Sequence, residues 1–315
     1  MDQTQLQVEG LSRRYGSLLA VNNISFSIRQ GEVLGFLGPN GAGKTTTMNM
    51  VTGNLAPTTG SVVVAGHDLL DDPRAAKSAL GYLPEQPPVY RELTVDEYLD
   101  ACAALHRIVR AKRQALREAA KEKCGLTDVG RRLIGNLSKG YQQRVGIAQA
   151  IIHLPPVIIL DEPTAGLDPI QIREIRHLIR ELGREHSVIL STHILPEVQS
   201  VCTHVQIISK GEMVLSDTID GLAQRMQSSV LRVRFRAPVD GKLLAALPGV
   251  MRVEDNGPNE LRLYHEPAQD PTDALVELAA TRRLGLTLLS PEHASLEDIF
   301  VELTTDERIT PEAAA

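Results

Sequence analysis

Short runs of apolar residues that end in glycine or polar residues recur through the first two-thirds of the chain. The runs span residues 33–37, 157–160, 188–190 and 205–208. Uninterrupted apolar runs of this length predict strands that are buried on both faces. Segments with helical spacing lie between them, so the pattern predicts a largely parallel α/β sheet.

The stretch from about residue 87 to 152 has a different pattern, which is typical of helices. Thr94 and Glu97 have the T-x-x-E spacing of a capping box, and helical spacing of apolar residues follows. A second, charged helix is predicted over residues 111–123 and stops before Gly125, and a third is predicted to begin at Ser138. We therefore expect a helical subdomain inserted into the α/β domain.

The pattern changes again near Gly221. Apolar Leu231, Val233 and Phe235 alternate with Arg232, Arg234 and Arg236, which predicts a half-buried strand. We then predict a helix over 242–246, strands over 250–253 and 261–264, a helix after Pro271, a strand over 286–289, and a short helix capped by Ser295. The order βαββαβ predicts a small ferredoxin-like α+β domain over 223–308, which follows a first domain over 1–222 and precedes a disordered tail over 309–315.

The composition of the chain indicates which kinds of partner it binds and in which cellular compartment it works. The 315 residues carry a formal net charge of -6, and this acidic balance argues against nucleic acid as the main partner. The three cysteines, Cys102, Cys124 and Cys202, are far apart in the chain, which favours a reducing cytosol over a disulfide framework or a zinc site. We see neither a signal peptide nor an apolar run of the roughly 20 residues that span a bilayer. Work at a membrane would therefore require another chain.

The strongest single motif is a phosphate loop that follows the predicted strand 33–37 and opens a helical run. Its glycines allow the backbone to curl, so that successive N–H groups point at phosphate oxygens. The lysine is expected to contact the β- and γ-phosphates of ATP, and the first threonine to ligate Mg²⁺ through its hydroxyl. The nucleotide-binding residues predicted here are Gly38, Pro39, Asn40, Gly41, Ala42, Gly43, Lys44, Thr45 and Thr46.

Two carboxylates follow the predicted strand 157–160. Asp161 stands at the tip of this buried strand, where Mg²⁺ beside a phosphate loop would find a second ligand. Glu162 is then placed to orient or deprotonate the attacking water as a general base. Together with the phosphate loop, the pair predicts a nucleotide hydrolase.

The run LSKGYQQR over residues 137–144 lies between these two elements. It resembles the LSGGQ signature of the ABC (ATP-binding cassette) ATPases, and the resemblance extends from residue 6 to about residue 220. Further elements occur in the order of that family: Tyr15, the phosphate loop, Glu85 with Gln86, the signature, Asp161 with Glu162, Asp168, and His193 after a strand.

The resemblance implies a role for each of these elements. Tyr15 would stack on adenine, and His193 would contact the γ-phosphate and join Glu162 and Lys44 in catalysis. Two cassettes, most simply a homodimer, would pack head to tail, so that Ser138 and Gly140 of one subunit face the ATP of the other. Asp168 would lie at that interface. Ser138 begins a predicted helix, and free N–H groups at the start of a helix bind anions. This position is therefore suitable for contact with the phosphates of ATP bound to the other subunit.

The sequence departs from the family pattern at two places. Lys139 and Tyr141 stand where the signature usually has Gly and Gln. Glu85 stands where the family usually has its magnesium-sensing Gln, and Gln86 follows one place later. Either of these two could therefore serve the metal. Because Glu162 is present, we expect a hydrolysing site.

A finer resemblance concerns the kind of ABC protein. Residues 81–85 (GYLPE), the signature run and residues 296–300 (LEDIF) are similar to exporter cassettes of gliding-motility and copper-enzyme-maturation systems. This implies an ATP-driven motor on the inner face of the cell membrane, with polytopic permease subunits as partners. Ribosome-acting relatives normally carry two cassettes and chromosome-maintenance relatives a very long heptad insertion, and neither is found. A regulatory cassette that binds ATP outside transport stays open as the alternative.

Overall fold

The computed structural model describes residues 4–225, 230–266, 269–291 and 300. The chain divides into two compact units, the first ending at Ile219 and the second beginning at Asp220. The predicted boundary between residues 222 and 223 falls within the helix Ile219–Arg225, at the start of the second unit.

The first unit contains ten strands and seven α-helices among the described residues. In chain order they are β1 (Thr4–Tyr15), β2 (Leu18–Arg29), β3 (Val33–Leu37), α1 (Lys44–Val51), β4 (Thr59–Val64), β5 (His67–Asp68), α2 (Pro73–Ser78), β6 (Leu80–Leu83), α3 (Val95–Leu105), α4 (Arg110–Cys124), α5 (Lys139–Ile151), β7 (Val157–Asp161), α6 (Pro169–Gly183), β8 (Ser187–Thr192), α7 (Leu195–Val201), β9 (His204–Ser209) and β10 (Glu212–Thr218).

A six-stranded sheet in the order β10-β9-β3-β8-β7-β6 carries the functional elements. Five of its strands run parallel to one another: β9, β3, β8, β7 and β6. The sixth strand, β10, lies at one edge and pairs antiparallel with β9. Every residue of β3, β7 and β8 is buried, as uninterrupted apolar strands covered on both faces should be. The four predicted strands are thus confirmed.

A second sheet in the first unit was not predicted. It is antiparallel, with the order β2-β1-β4-β5, so the first unit is less uniformly parallel than the pattern suggested. Register shifts interrupt the pairing of β1 with β2 at four places, and such irregularities break the alternation by which a half-buried strand is recognised. An apolar core that includes Leu6, Ile24, Phe36, Met48 and Ile159 joins the two sheets and α1.

The helical subdomain consists of α3, α4 and α5. Thr94 and Glu97 form the predicted capping box: Thr94 Oγ1 accepts from Glu97 N at 3.3 Å, and Glu97 Oε2 accepts from Thr94 N at 2.8 Å. The second of these bonds lowers the pKa of Glu97. Gly125 ends α4 in a left-handed conformation (φ 65°), which glycine adopts without strain. Ser138 is the N-cap of α5, as predicted.

The second unit is described for most of its length. Its four strands form an antiparallel sheet in the order β12-β13-β11-β14, which is the strand order of the predicted βαββαβ arrangement. The predicted helix capped by Ser295 and the tail 309–315 lie outside the described residues. The elements are α8 (Ile219–Arg225), β11 (Val230–Phe235), α9 (Gly241–Ala245), β12 (Val250–Asp255), β13 (Glu260–His265), α10 (Thr272–Thr281) and β14 (Leu286–Pro291).

The alternation along β11 is confirmed by its burial. Leu231, Val233 and Phe235 lie in the core of the second unit. On the opposite face, two arginines contact the carboxylate of Glu260. The guanidinium group of Arg232 lies 3.7 Å from it, and that of Arg234 forms a closer ion pair with it. The arginines therefore have an acidic partner within their own sheet.

The capping box gives a test of how firmly α3 is anchored. Substituting Thr94→Ala removes the hydroxyl that accepts from Glu97 N, at a cost of about 1 kcal/mol. We expect the Tm of the first unit to fall by about 2–4 °C, measured by calorimetry, whereas Thr94→Ser should retain it. Equal Tm values for the Ala and Ser variants would show that the cap contributes nothing.

Candidate nucleotide site

The phosphate loop lies between the end of β3 and the start of α1. Two of its glycines are required by close backbone approach. A Cβ at Gly38 would lie 2.4 Å from the carbonyl oxygen of Ile208, and one at Gly43 would lie 2.7 Å from that of Ala20. Gly43 also has a φ of 104°, which side chains rarely permit. The loop therefore keeps its curl only with glycine at these positions.

The loop forms the floor of a cavity of about 260 Å³. Residues predicted separately as phosphate-binding, metal-binding and catalytic come together around it. Ala20 and Ala165 also line it, and neither gave a signal in the sequence, because alanine carries no chemistry of its own. The lining residues are Ala20, Asn40, Gly41, Gly43, Lys44, Thr45, Thr46, Glu85, Glu162, Ala165 and His193.

Lys44 is held at the bottom of this cavity. Its side chain is buried, and its Nζ donates to the carbonyl oxygens of Gly38 at 2.8 Å and Pro39 at 3.3 Å. The same ammonium lies 3.6 Å from Glu162 Oε1. A buried cation fixed by the carbonyls of its own loop is well placed to meet a phosphate that enters the cavity.

Asp161, at the end of β7, is a buried carboxylate. The residue is completely buried, and neither of its oxygens has a partner among the described residues. The hydroxyls of Ser191 and Thr45 lie close enough to favour its charged form, although neither makes a hydrogen bond of good geometry. Burial outweighs them and raises the pKa of Asp161.

This arrangement fits Mg²⁺. A divalent cation takes oxygen ligands, and it would satisfy the two unpaired oxygens of Asp161 beside the hydroxyl of Thr45. Of the two neighbouring candidates for metal sensing, Glu85 lines the cavity, and its charge further raises the pKa of Asp161. Both candidates are exposed, and Gln86 is absent from the cavity lining among the described residues. The geometry therefore favours Glu85.

Glu162 and His193 form a pair at the mouth of the cavity. His193 Nδ1 lies 2.9 Å from Glu162 Oε1 and 3.0 Å from Oε2. Glu162 is buried in a left-handed backbone conformation (φ 48°), and its N–H donates to the carbonyl oxygen of Ser191 at 2.9 Å. The predicted partner of His193 was the γ-phosphate, and in this arrangement its nearest acceptor is the neighbouring carboxylate.

The remaining predicted residues lie away from this cavity. Ser138 caps α5, and Asp168 caps α6 by accepting from the backbone N–H groups of Ile170 and Gln171. A Cβ at Gly140 would lie 2.5 Å from Gln171 Oε1, so the signature packs against the start of α6. Tyr15 ends β1 as a half-exposed ring with the Arg13 guanidinium carbon 4.7 Å from its centre. None of these predicted residues is among the described residues that line the cavity.

Comparison with known proteins places this geometry in a family. The family model described as ABC transporter matches residues 21–165. The bacitracin transport ATP-binding protein BcrA of Bacillus licheniformis is 33% identical over 305 residues, covering 95% of this chain and 97% of its own. The chain belongs to the ABC transporter ATP-binding proteins.

Other relatives and structures agree with this assignment. The daunorubicin resistance ATP-binding protein DrrA3 of Streptomyces coeruleorubidus is 30% identical over the full length of both chains. A solved structure described as the ATP binding subunit of an ABC transporter is 30% identical, with a TM-score of 0.64, and covers 70% of this chain and 92% of its own. This ABC protein is accordingly an ATP-binding ATPase. No helix among its described residues is long and apolar enough to cross a membrane.

From the buried carboxylate of Asp161 we predict that this residue lowers folding stability in the absence of metal and is required for Mg²⁺ binding. An acid whose folded pKa is raised contributes stability that is fully present below its ordinary pKa and is lost as the pH rises through the raised value. At neutral pH the charge is therefore destabilising, and Asp161→Asn should raise the Tm of the protein in EDTA. The same variant should lose the extra stabilisation that Mg²⁺ adds to ATP in the unmodified protein. Thermal unfolding with and without Mg²⁺ measures both effects, and a lower Tm in EDTA would contradict the first.

Proposed function

We propose that this chain is the ATP-hydrolysing motor of a bacterial ABC exporter, acting on separate polytopic membrane subunits. The observation that carries the proposal is the convergence of Lys44, Glu162 and His193 on one cavity at the phosphate loop, with the buried carboxylate of Asp161 beside Thr45. Relatives that align along 95% or more of the chain are named for bacitracin transport and for daunorubicin resistance, which supports export as the process.

The side chains of the cavity divide the reaction between them. The loop N–H groups and Lys44 hold the β- and γ-phosphates of ATP. Glu162 orients the attacking water and accepts its proton, and His193 holds the Glu162 carboxylate in place and reaches the γ-phosphate once it is bound. Mg²⁺, held by Thr45 and Asp161 with Glu85 nearby, would neutralise charge on the phosphates.

A second cassette would complete the site. The signature residues Ser138 and Gly140 lie outside the cavity of their own chain, as does Asp168. A head-to-tail homodimer would bring them to the ATP of the partner subunit, where the capped start of α5 offers N–H groups to the γ-phosphate. ATP binding would then favour the closed dimer and hydrolysis would release it.

The proposal also includes the cellular location of the motor and the exporter subclass. The motor would sit on the cytoplasmic face of the membrane, and the surface at 87–97 would receive a cytoplasmic helix of the permease. The similarity to gliding-motility and copper-enzyme-maturation exporters is our proposal for the subclass, resting on residues 81–85, 137–144 and 296–300, the last of which lies mostly outside the described residues.

The role of Glu162 gives a direct test of the reaction. Removing a general base commonly costs about 10²–10⁴-fold in rate, so Glu162→Gln should lower kcat for phosphate release by that factor. ATP affinity should persist, because Lys44 and the loop are unchanged, and size-exclusion chromatography with light scattering should show an ATP-dependent dimer. Glu181→Gln, an exposed change on α6, is the matched control and should hydrolyse ATP normally. Undiminished turnover in Glu162→Gln would remove the assignment of the base.

The membrane partnership is tested by capture from detergent-solubilised membranes of the native host. We expect tagged Glu162→Gln, loaded with ATP, to recover a polytopic membrane protein in near-equal amount, identified by mass spectrometry. Lys44→Ala, which should bind ATP poorly, controls for dependence on the nucleotide. Recovery of soluble partners without a membrane protein would favour the regulatory alternative and overturn the transport assignment.

A further inference from the structure

A buried carboxylate on α7 joins the two loops that carry Glu162 and His193. Glu197 is 1% exposed, which is unusual for an acid. Its Oε1 accepts a hydrogen bond from the hydroxyl of Thr164, and its Oε2 accepts one from the hydroxyl of Thr192 at 2.9 Å. One carboxylate thus connects the turn after β7 to the end of β8.

The two threonines stand close to the catalytic pair in the chain. Thr192 immediately precedes His193, and its Oγ1 also accepts from the N–H of Ile194 at 3.1 Å, so one hydroxyl fixes the backbone on both sides of the histidine. Thr164 lies two residues after Glu162, within a turn closed by the bond from Ala165 N to Glu162 O at 3.1 Å. A shift of either hydroxyl would therefore move Glu162 or His193.

Joining the two loops through a buried charged group costs folding free energy, which contacts between apolar side chains do not. A buried carboxylate is desolvated, and an apolar side chain of similar volume often stabilises such a place more. The nearest cation is Arg176 on α6, whose Nη2 lies 3.8 Å from Glu197 Oε1. What the carboxylate offers that an apolar group cannot is two acceptor oxygens in fixed directions, one for each loop.

We propose that Glu197 is a positioning residue for ATP hydrolysis, which sets the distance between Glu162 and His193 through the hydroxyls of Thr164 and Thr192. This inference rests on the proposed roles of Glu162 and His193. Lys44 and the phosphate loop have no bond to Glu197, so the network acts on turnover and leaves ATP binding alone.

The test compares Thr192→Val with Thr192→Ser. Valine has nearly the shape of threonine but lacks the hydroxyl, whereas serine keeps it. A misplacement of about 1 Å can cost about 10²-fold in rate, so we expect Thr192→Val to lower kcat by about 10–100-fold, with the Kd for ATP changed by less than about twofold. Thr192→Ser should retain kcat within about twofold. Ser200→Ala is the matched control, since this hydroxyl on α7 bonds to the main-chain carbonyl of Glu197, and it should leave kcat unchanged.

Two combinations separate the network from a merely structural effect. Glu197→Gln should lower kcat and add little further loss in the Thr192→Val background, because both changes break one link. Thr192→Val should likewise add little to Glu162→Gln, because Thr192 positions His193, which acts on turnover by holding the Glu162 carboxylate. The proposal would be overturned if the losses of kcat in either double variant were the product of the losses in its single variants. It would also be overturned by full kcat in Thr192→Val, or by a Kd for ATP that rises as kcat falls.

The same series distinguishes this inference from the proposed function. If Glu162→Gln abolishes turnover while Thr192→Val does not affect it, the positioning network is refuted and the base assignment stands. If Glu162→Gln hydrolyses ATP normally, the base assignment itself fails, and the network has no catalytic group to position.

Discussion

The parallel pairing of β3, β8 and β7 is the constraint on which the rest of the site depends. Leu37 at the end of β3 lies opposite Thr192 of β8, and Asp161 at the end of β7 lies opposite Ser191. Because parallel strands end at the same edge of a sheet, the phosphate loop, the acidic pair and the histidine all emerge there. A shift of register in any one strand would separate the groups that meet in the cavity.

Charge at this edge is arranged for a ligand more than for the fold alone. Asp161 is buried with no hydrogen-bond partner in the described part of the chain, while the ammonium of Lys44 donates to carbonyl oxygens close to Glu162. Unpaired buried polar groups cost stability and occur where function requires them. The phosphates and metal that these groups suit would bring the missing opposite charges, so nucleotide binding and folding stability are linked at this site.

Much of the fold and of the site could be predicted from local patterns. The strands β3, β7, β8 and β9 were visible as apolar runs, and the cap of α3 as a spacing of Thr94 and Glu97. The antiparallel sheet of β1, β2, β4 and β5 was missed, because its register shifts disturb the alternation on which such a prediction depends. Glu197 was missed as well, since an acid in the first turn of a helix is ordinary there and its burial is invisible in the sequence.

The sequence by itself determined the chemistry: a phosphate loop between a strand and a helix, two carboxylates after a second strand, and a signature in family order identify an ATP-binding cassette. These features are local, set by the residue types that a tight turn or a strand end allows. Only the tertiary structure decided that His193 contacts Glu162, that Glu85 faces the cavity in preference to Gln86, and that Glu197 joins two loops. Those contacts bridge residues distant in the chain, and distances between side chains are fixed by the pairing and packing of whole elements.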